Sequence, residues 1–281
     1  MSLVDLRARA TEPEQLDEGV PEAEALRSLA DLRFVNRWLG NRARLLRAVR
    51  PHLPPGGRLL DVGCGSGDVP AFLLKHLPGP LLAVGVDVKT LHLRAAPRAV
   101  RRVVADVRRL PFPDGAFDVV TASLFLHHFD EDDLPVILAG LHRLARRALV
   151  VNDLHRARVP YLFGRAAFPF LFRSRVSVED GLVSIRRGFR ADELRAAFTR
   201  AGMTNVTVHR MFPYRLLAVA ANSSVTPSTS FTGAFPWGGR RPIGITAKRS
   251  TRQVIAQGDP GSTRVGGSLL ARPTEARRDD R

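Results

Sequence analysis

The segment LLDVGCGSGDVP, residues 59–70, gathers residue types that can hold a small molecule through main chain and carboxylates together. It carries glycines at 63, 65 and 67 between two acids, Asp61 and Asp68. Glycine lets the backbone turn tightly and lets a ligand approach it closely. A dinucleotide-binding turn would read G-x-G-x-x-G and rest a pyrophosphate on the following helix. Here the spacing is G-x-G-x-G, and the two flanking carboxylates would repel a pyrophosphate. A cationic or zwitterionic ligand suits them better. Asp87 follows Gly67 by 20 residues, where an acidic side chain can accept both hydroxyls of a ribose. Asp106 closes the next apolar run, and FDVVTASLFLHHF then delivers Ser123, His127 and His128. Further on, VVNDLHR (150–156) adds Asn152, Asp153 and His155. His155 is the expected general base, with Asp153 orienting it or the acceptor, and His127 is the competing base. An unperturbed imidazole pKa near ~6.5 suits that role at physiological pH. Cys64, inside the loop, reads as a small packing residue.

These groups need elements to position them. Apolar runs at 58–63, 81–88, 101–106, 117–123 and 148–153 read as strands, and stretches at 69–77, 90–96 and 133–145 as helices between them. Runs of Val and Leu without alternation fit parallel strands covered on both faces, hence an α/β, doubly wound Rossmann-like sheet. In such a sheet ligands bind beyond the carboxyl ends of the strands. Asp68 is placed to cap the first of the helices. NVTVHRM (205–211) and YRLLAVAA (214–221), joined at Phe212-Pro213, predict an antiparallel C-terminal hairpin, and ADELRAAFTRAG (191–202) a helix before it. Residues 21–50 show helical spacing interrupted at Gly40-Asn41. An apolar segment at 157–173, broken by Pro160 and Pro169, opens a lid or acceptor insertion over 157–190. Its aromatics, Tyr161, Phe163, Phe168, Phe170 and Phe172, could close over a hydrophobic acceptor or touch a membrane surface.

The main domain is expected over 21–221, preceded by a loose polar leader (1–20). A disordered tail (222–281) is expected after it, where eight glycines, five prolines and fourteen serines or threonines erase any hydrophobic period. The net charge of +16 raises the question of nucleic acid. Forty arginines against three lysines, scattered without an aromatic-interleaved basic stripe, instead read as compositional bias. Nucleic acid is therefore not the expected partner. A single cysteine excludes an internal disulfide, and no metal-ligand constellation stands out, so no metal is expected. Neither an apolar signal core nor a spanning run of ~18 apolar residues is present, and the cytoplasm is the expected location.

Together, the glycine loop, Asp87, Asp106 and the polar end of the fourth strand resemble the class I S-adenosylmethionine-dependent methyltransferases over about residues 30–221. The resemblance implies S-adenosylmethionine as cofactor. Asp61, Gly63 and Gly65 would face its methionine part, with Gly67 completing the loop. Asp87 would bind the ribose, Asp106 and the Val107 backbone the adenine, and Ser123 would lie beneath the sulfonium. No Asn/Asp-Pro-Pro-aromatic box follows the fourth strand, as a nucleic-acid amino methyltransferase would show; LHH there resembles the small-molecule branch that includes quinone-biosynthesis methyltransferases. VVNDLHR with DGLVSIRRGF (180–189) is similar to a bacterial subgroup often encoded beside type III polyketide synthases. That likeness implies O- or C-methylation of a small, hydrophobic phenolic or quinone-like acceptor. The competing readings are an NAD(P)-dependent oxidoreductase on the same architecture, opposed by the loop carboxylates, and a catalytically inactive cofactor-binding regulator.

Overall fold

Strands apolar on both faces are stable only when helices cover both sides of their sheet. In the computed structural model, which describes residues 4–38 and 41–222, five strands run parallel, four of them buried on both faces and the one at the sheet edge largely exposed. They are β1 (Arg58–Val62), β2 (Leu82–Asp87), β3 (Arg101–Val104), β4 (Phe117–Ser123) and β5 (Ala145–Leu154). β6 (Val206–Met211) and β7 (Arg215–Ala221) form the expected hairpin, and β7 joins β5 antiparallel. The sheet order is β3-β2-β1-β4-β5-β7-β6, the doubly wound arrangement read from the sequence. Strand order reverses between β1 and β4, and an open sheet offers its ligand crevice at that point.

The helices are α1 (Gln15–Glu18), α2 (Glu22–Trp38), α3 (Asn41–Val49), α4 (Asp68–His76), α5 (Thr90–Arg94), α6 (Leu134–Leu144), α7 (Arg158–Leu171), α8 (Arg175–Arg187) and α9 (Ala191–Arg200). Alternation along the strands sends Leu60 and Val120 to one face of the sheet and Leu59 and Val119 to the other. The first face buries Leu138 and Leu141 of α6 with Leu194 and Phe198 of α9; the second buries Leu45 and Val49 of α3 with Leu73 of α4. Among the described residues no helix is long and apolar enough to cross a membrane.

Three parts differ from the sequence reading. Residues 158–171 form one helix despite Pro160 and Pro169. Pro160 falls in the first turn, where a missing N–H leaves no helical bond unmade, and Pro169 lies near the end of α7, where little helix remains to disrupt. α8 was not expected; it starts where Ser174 accepts from the Ser177 N–H and Asp31 takes the N–H groups of Arg173 and Ser174. The loose leader is instead strapped to the domain over residues 4–20. Leu6 is buried, Asp180 accepts the N–H groups of Gln15 and Leu16, and two buried arginines hold the strap's carbonyls. Arg156 reaches the carbonyls of Leu6 and Arg7, and Arg187 those of Thr11 and Glu12. The expected disordered tail lies outside the described residues except for Asn222, whose N–H and side chain close onto the carbonyls of Arg147 and Ala145.

Arg156 also pairs with Glu193, the residue that caps the first turn of α9. Removing one partner of a buried ion pair leaves the other uncompensated, at a cost of about 3 kcal/mol. Arg156→Ala should therefore lower the chemical-denaturation midpoint and expose the strap to trypsin at Arg7 and Arg9. A strap as protected as in the wild type would contradict this.

Candidate functional site

One cavity of about 840 Å³ opens at the carboxyl ends of the strands. Its floor is the glycine loop after β1. Gly63, Gly65 and Gly67 adopt φ of +63°, +52° and +66°, the left-handed region that favours glycine. A Cβ at Gly63 would lie 2.0 Å from the Phe125 ring, whereas one at Gly65 would meet only a Leu29 methyl at 3.8 Å. The Gly65 main chain is thus open to a ligand. Asp87, at the end of β2, clasps the loop: its carboxylate accepts the Gly65 N–H at 2.9 Å and the Lys89 N–H at 2.8 Å, with His92 Nδ1 at 3.4 Å. Burial alone would raise this carboxyl, but the His92 imidazole and the two N–H donors bring it below its ordinary value.

The other expected donor-side residues divide into cavity wall and support. Asp106 and Val107 line the cavity; Asp106 caps the single 3-10 turn Val107–Arg109 by accepting the Arg108 N–H. Asp61 lies behind the loop, where its carboxylate accepts the Thr121 hydroxyl at 2.6 Å. Burial, opposed by that bond and reinforced by Asp68 and Asp87, pushes Asp61 up to about 7. Ser123 also stands behind the wall and accepts from the Asn152 amide at 3.0 Å. Asp68 is not the helix cap: Gly67 holds that position, and Asp68 accepts from Asn36 on α2 and faces Arg42. Cys64 is buried against Gly85 with its thiol pushed up by burial, consistent with packing.

Beside the glycine loop, the cavity wall is built around histidines. A 3-10 turn, Leu126–His128, follows β4 and lies over the end of β5. His127 Nδ1 is 2.7 Å from Asp153 Oδ1, and the Leu126 N–H donates to Asp153 Oδ2 at 2.9 Å. Asp153 therefore partners His127 and not His155, contrary to the sequence expectation. The turn brings its donors directly onto the carboxylate, and Leu154 N–H takes a further position on it. Burial would lower His127, but Asp153 and then Glu14 outweigh it and hold the imidazole at about 9. His155 lines the cavity on its own, half-buried, with its N–H donated to the Tyr214 carbonyl. Burial, together with Arg210, Arg156 and Arg190, pushes its pKa down, so it is neutral at physiological pH.

Sequence reasoning missed Glu14 and Asp17, which reach the cavity because the strap places them there. Glu14 Oε1 lies 3.4 Å from His127 Nε2 and Asp17 Oδ2 lies 2.6 Å from His128 Nδ1. The acid-rich composition of residues 12–18 was the available signal. Among the described residues, Glu14, His127 and His128 bring one ligating atom each within 4.8 Å of one another, against the expectation of no metal-ligand constellation. Val159, Phe163, Phe168 and Phe172 close the cavity with apolar surface, while Leu162 and Phe170 of α7 face outward.

Comparison with known proteins places this geometry. The family model for a methyltransferase domain matches residues 59–148. A demethylmenaquinone methyltransferase of Roseiflexus castenholzii is 31% identical over 186 residues, covering 60% of this chain and 74% of that one. A 2-phytyl-1,4-naphtoquinone methyltransferase of Synechococcus elongatus is 32% identical over 120 residues, covering 38% of this chain and 50% of that one. The chain thus spans about half to three quarters of the length of these curated relatives. Human N-acetylserotonin methyltransferase, solved in complex with SAM, shares the fold at 13% identity and a TM-score of 0.55, over 74% of this chain and 62% of that one.

The glycine geometry is testable by comparing two substitutions. An L-residue in the left-handed region costs roughly 1–2 kcal/mol, which Gly63→Ala and Gly65→Ala share. Only the first adds a collision with Phe125. Gly63→Ala should lower the urea midpoint clearly more than Gly65→Ala; equal losses would contradict the placement of the Phe125 ring.

Proposed function

Because the chain belongs to the class I S-adenosylmethionine-dependent methyltransferases, we propose that it methylates a small, hydrophobic phenolic or quinone-like acceptor on oxygen or carbon. The observation that carries this is a cavity whose lining combines an open glycine main chain and carboxylates with apolar side chains and neighbouring histidines. Gly65, Asp87 and Asp106 supply the first set, and Val159, Phe163, Phe168 and Phe172 with His127, His128 and His155 the second. The quinone-directed names of the two bacterial relatives favour the same acceptor class.

The donor end fits S-adenosylmethionine. The loop is cradled by Asp61, Asp68 and Asp87, which suits a sulfonium-bearing zwitterion and opposes the pyrophosphate of NAD(P). Gly63 and Gly65 would meet the methionine part, with Gly67 and Asp61 shaping the loop from behind. Asp87 would accept the ribose hydroxyls, Asp106 and the Val107 main chain would hold the adenine, and Ser123 would support the floor. S-adenosylmethionine supplies an activated methyl group on sulfur. The chain's own work is to orient the acceptor, exclude water with α7 and α8, and take a proton where a hydroxyl is methylated. His155 is the group suited to that last task, since it is neutral and faces the cavity. His127, held protonated between Asp153 and Glu14, instead fixes the wall.

Two outcomes follow. Asp87→Asn should weaken S-adenosylmethionine at least tenfold by calorimetry, because hydrogen bonds to a charged group are worth about 1.5–3 kcal/mol each. NAD and NADP should give no thermal shift with the wild type; stabilisation by either would overturn the cofactor assignment. His155→Ala should cut turnover of a phenolic acceptor by roughly 10²-fold with donor affinity unchanged. Unaltered turnover would remove His155 as the base.

A further inference from the structure

We propose that Glu14, His127 and His128 form a binding site for a divalent transition-metal ion of the zinc class, set in the cavity wall. The first argument is orientation. Each imidazole has its Nδ1 against a carboxylate, His127 on Asp153 at 2.7 Å and His128 on Asp17 at 2.6 Å. Metal-bound histidines characteristically have their second nitrogen oriented in this way, which leaves Nε2 as the atom that would exchange its proton for the ion. Glu14 is supported in the same manner, for its Oε1 accepts the Ser184 hydroxyl at 2.5 Å. All three candidate ligands therefore have an outer partner that fixes them.

The second argument is spacing. Both Nε2 atoms face the Glu14 carboxylate, His127 at 3.4 Å from Oε1 and His128 at 4.0 Å from Oε2. A charge-assisted hydrogen bond between such groups would close to about 2.7–2.9 Å. A tetrahedral zinc ion with bonds near 2.0–2.1 Å separates its ligand atoms by about 3.3–3.4 Å. The His127 gap is longer than such a bond and matches the spacing around an ion, and His128, at 4.0 Å, would close by about half an ångström to join it.

Charge supplies the third argument. Three carboxylates, Glu14, Asp17 and Asp153, surround the two imidazoles. The nearby cations direct hydrogen bonds to main-chain carbonyls: Arg187 to those of His127 and His128, Arg9 to that of Phe129, and Lys89 to those of Leu16 and Asp17. A divalent ion would neutralise what these leave. Two histidines and one carboxylate, with a remaining position open to the cavity, form the donor set of catalytic rather than closed structural zinc sites. That position takes water or another oxygen ligand.

The test uses the full, untagged chain, stripped with a chelator and titrated with Zn²⁺ by calorimetry and with Co²⁺ by visible absorption. One ion per chain, bound at micromolar affinity or tighter with the spectrum of tetrahedral Co²⁺, is expected. Glu14→Gln and His128→Asn should each abolish the tetrahedral spectrum, and Asp17→Asn should weaken affinity about 10–100-fold as an outer partner. His76→Ala, outside the cavity, should bind as the wild type does. Circular dichroism checks that each variant is folded. The half-exposed Asp17 keeps the test valid should either ligand variant unfold. A folded wild type that takes up no ion, or uptake that survives Glu14→Gln and His128→Asn, overturns the proposal. S-adenosylmethionine calorimetry on the stripped chain reads the donor assignment separately.

Discussion

A fully buried carboxylate must be met by donors, and at the end of β5 that requirement organises the histidine-bearing wall of the cavity. Asp153 receives the Leu126 and Leu154 N–H groups and the His127 ring, so the turn after β4 is drawn across the strand end. Reaching it forces Leu124 to a φ of +53°, a conformation that costs a non-glycine residue roughly 1–2 kcal/mol. The bonds to Asp153 offset that strain. The turn in turn presents its carbonyls away from the strand, and Arg187 and Arg9 bind them while holding the N-terminal strap. Glu14 is brought to the histidines by this chain of contacts, from the far end of the sequence.

Overall charge and local charge have opposite signs here. The chain carries +16, yet Asp61, Asp68 and Asp87 gather at the glycine loop and Glu14, Asp17 and Asp153 around His127 and His128. Solvent screens scattered surface arginines over about 8–10 Å, whereas buried carboxylates act on a ligand through a much lower dielectric. Ligand sign is therefore set by the few buried acids. Asp61, at about 7, is poised between its two forms, and a cation beside it favours the charged one.

The parts legible in the sequence are those whose physics is local. β1, β2, β4 and β5 are buried on both faces and so read as unbroken Val and Leu runs; the glycine loop is fixed by backbone conformations that its own residues dictate. The pairing of Asp153 with His127 was not legible, because His155 lies nearer in sequence and only the docking of one strand end on another decides between them. α8 lacked a clean apolar stripe, and its start is set by Asp31 of α2, more than a hundred residues away. The strap was misread because the arginines that bind it, Arg156 and Arg187, are two among forty and look like background.

The two parts of the cavity wall also differ in what holds them. The wall around the glycine loop consists of strand termini and the turns that leave them, so altering it disturbs the sheet. The apolar wall is α7, α8 and the strap, bonded largely to one another: Asp180 of α8 holds Gln15 and Leu16, Ser184 holds Glu14, and Phe168 of α7 fills the space left by Gly164 and Gly181. Substitutions there can reshape the apolar end while leaving the sheet's hydrogen bonds intact. Under the acceptor assignment proposed above, one donor site could accordingly serve different acceptors, with the choice among them carried by residues 4–20 and 157–190 rather than by the glycine loop.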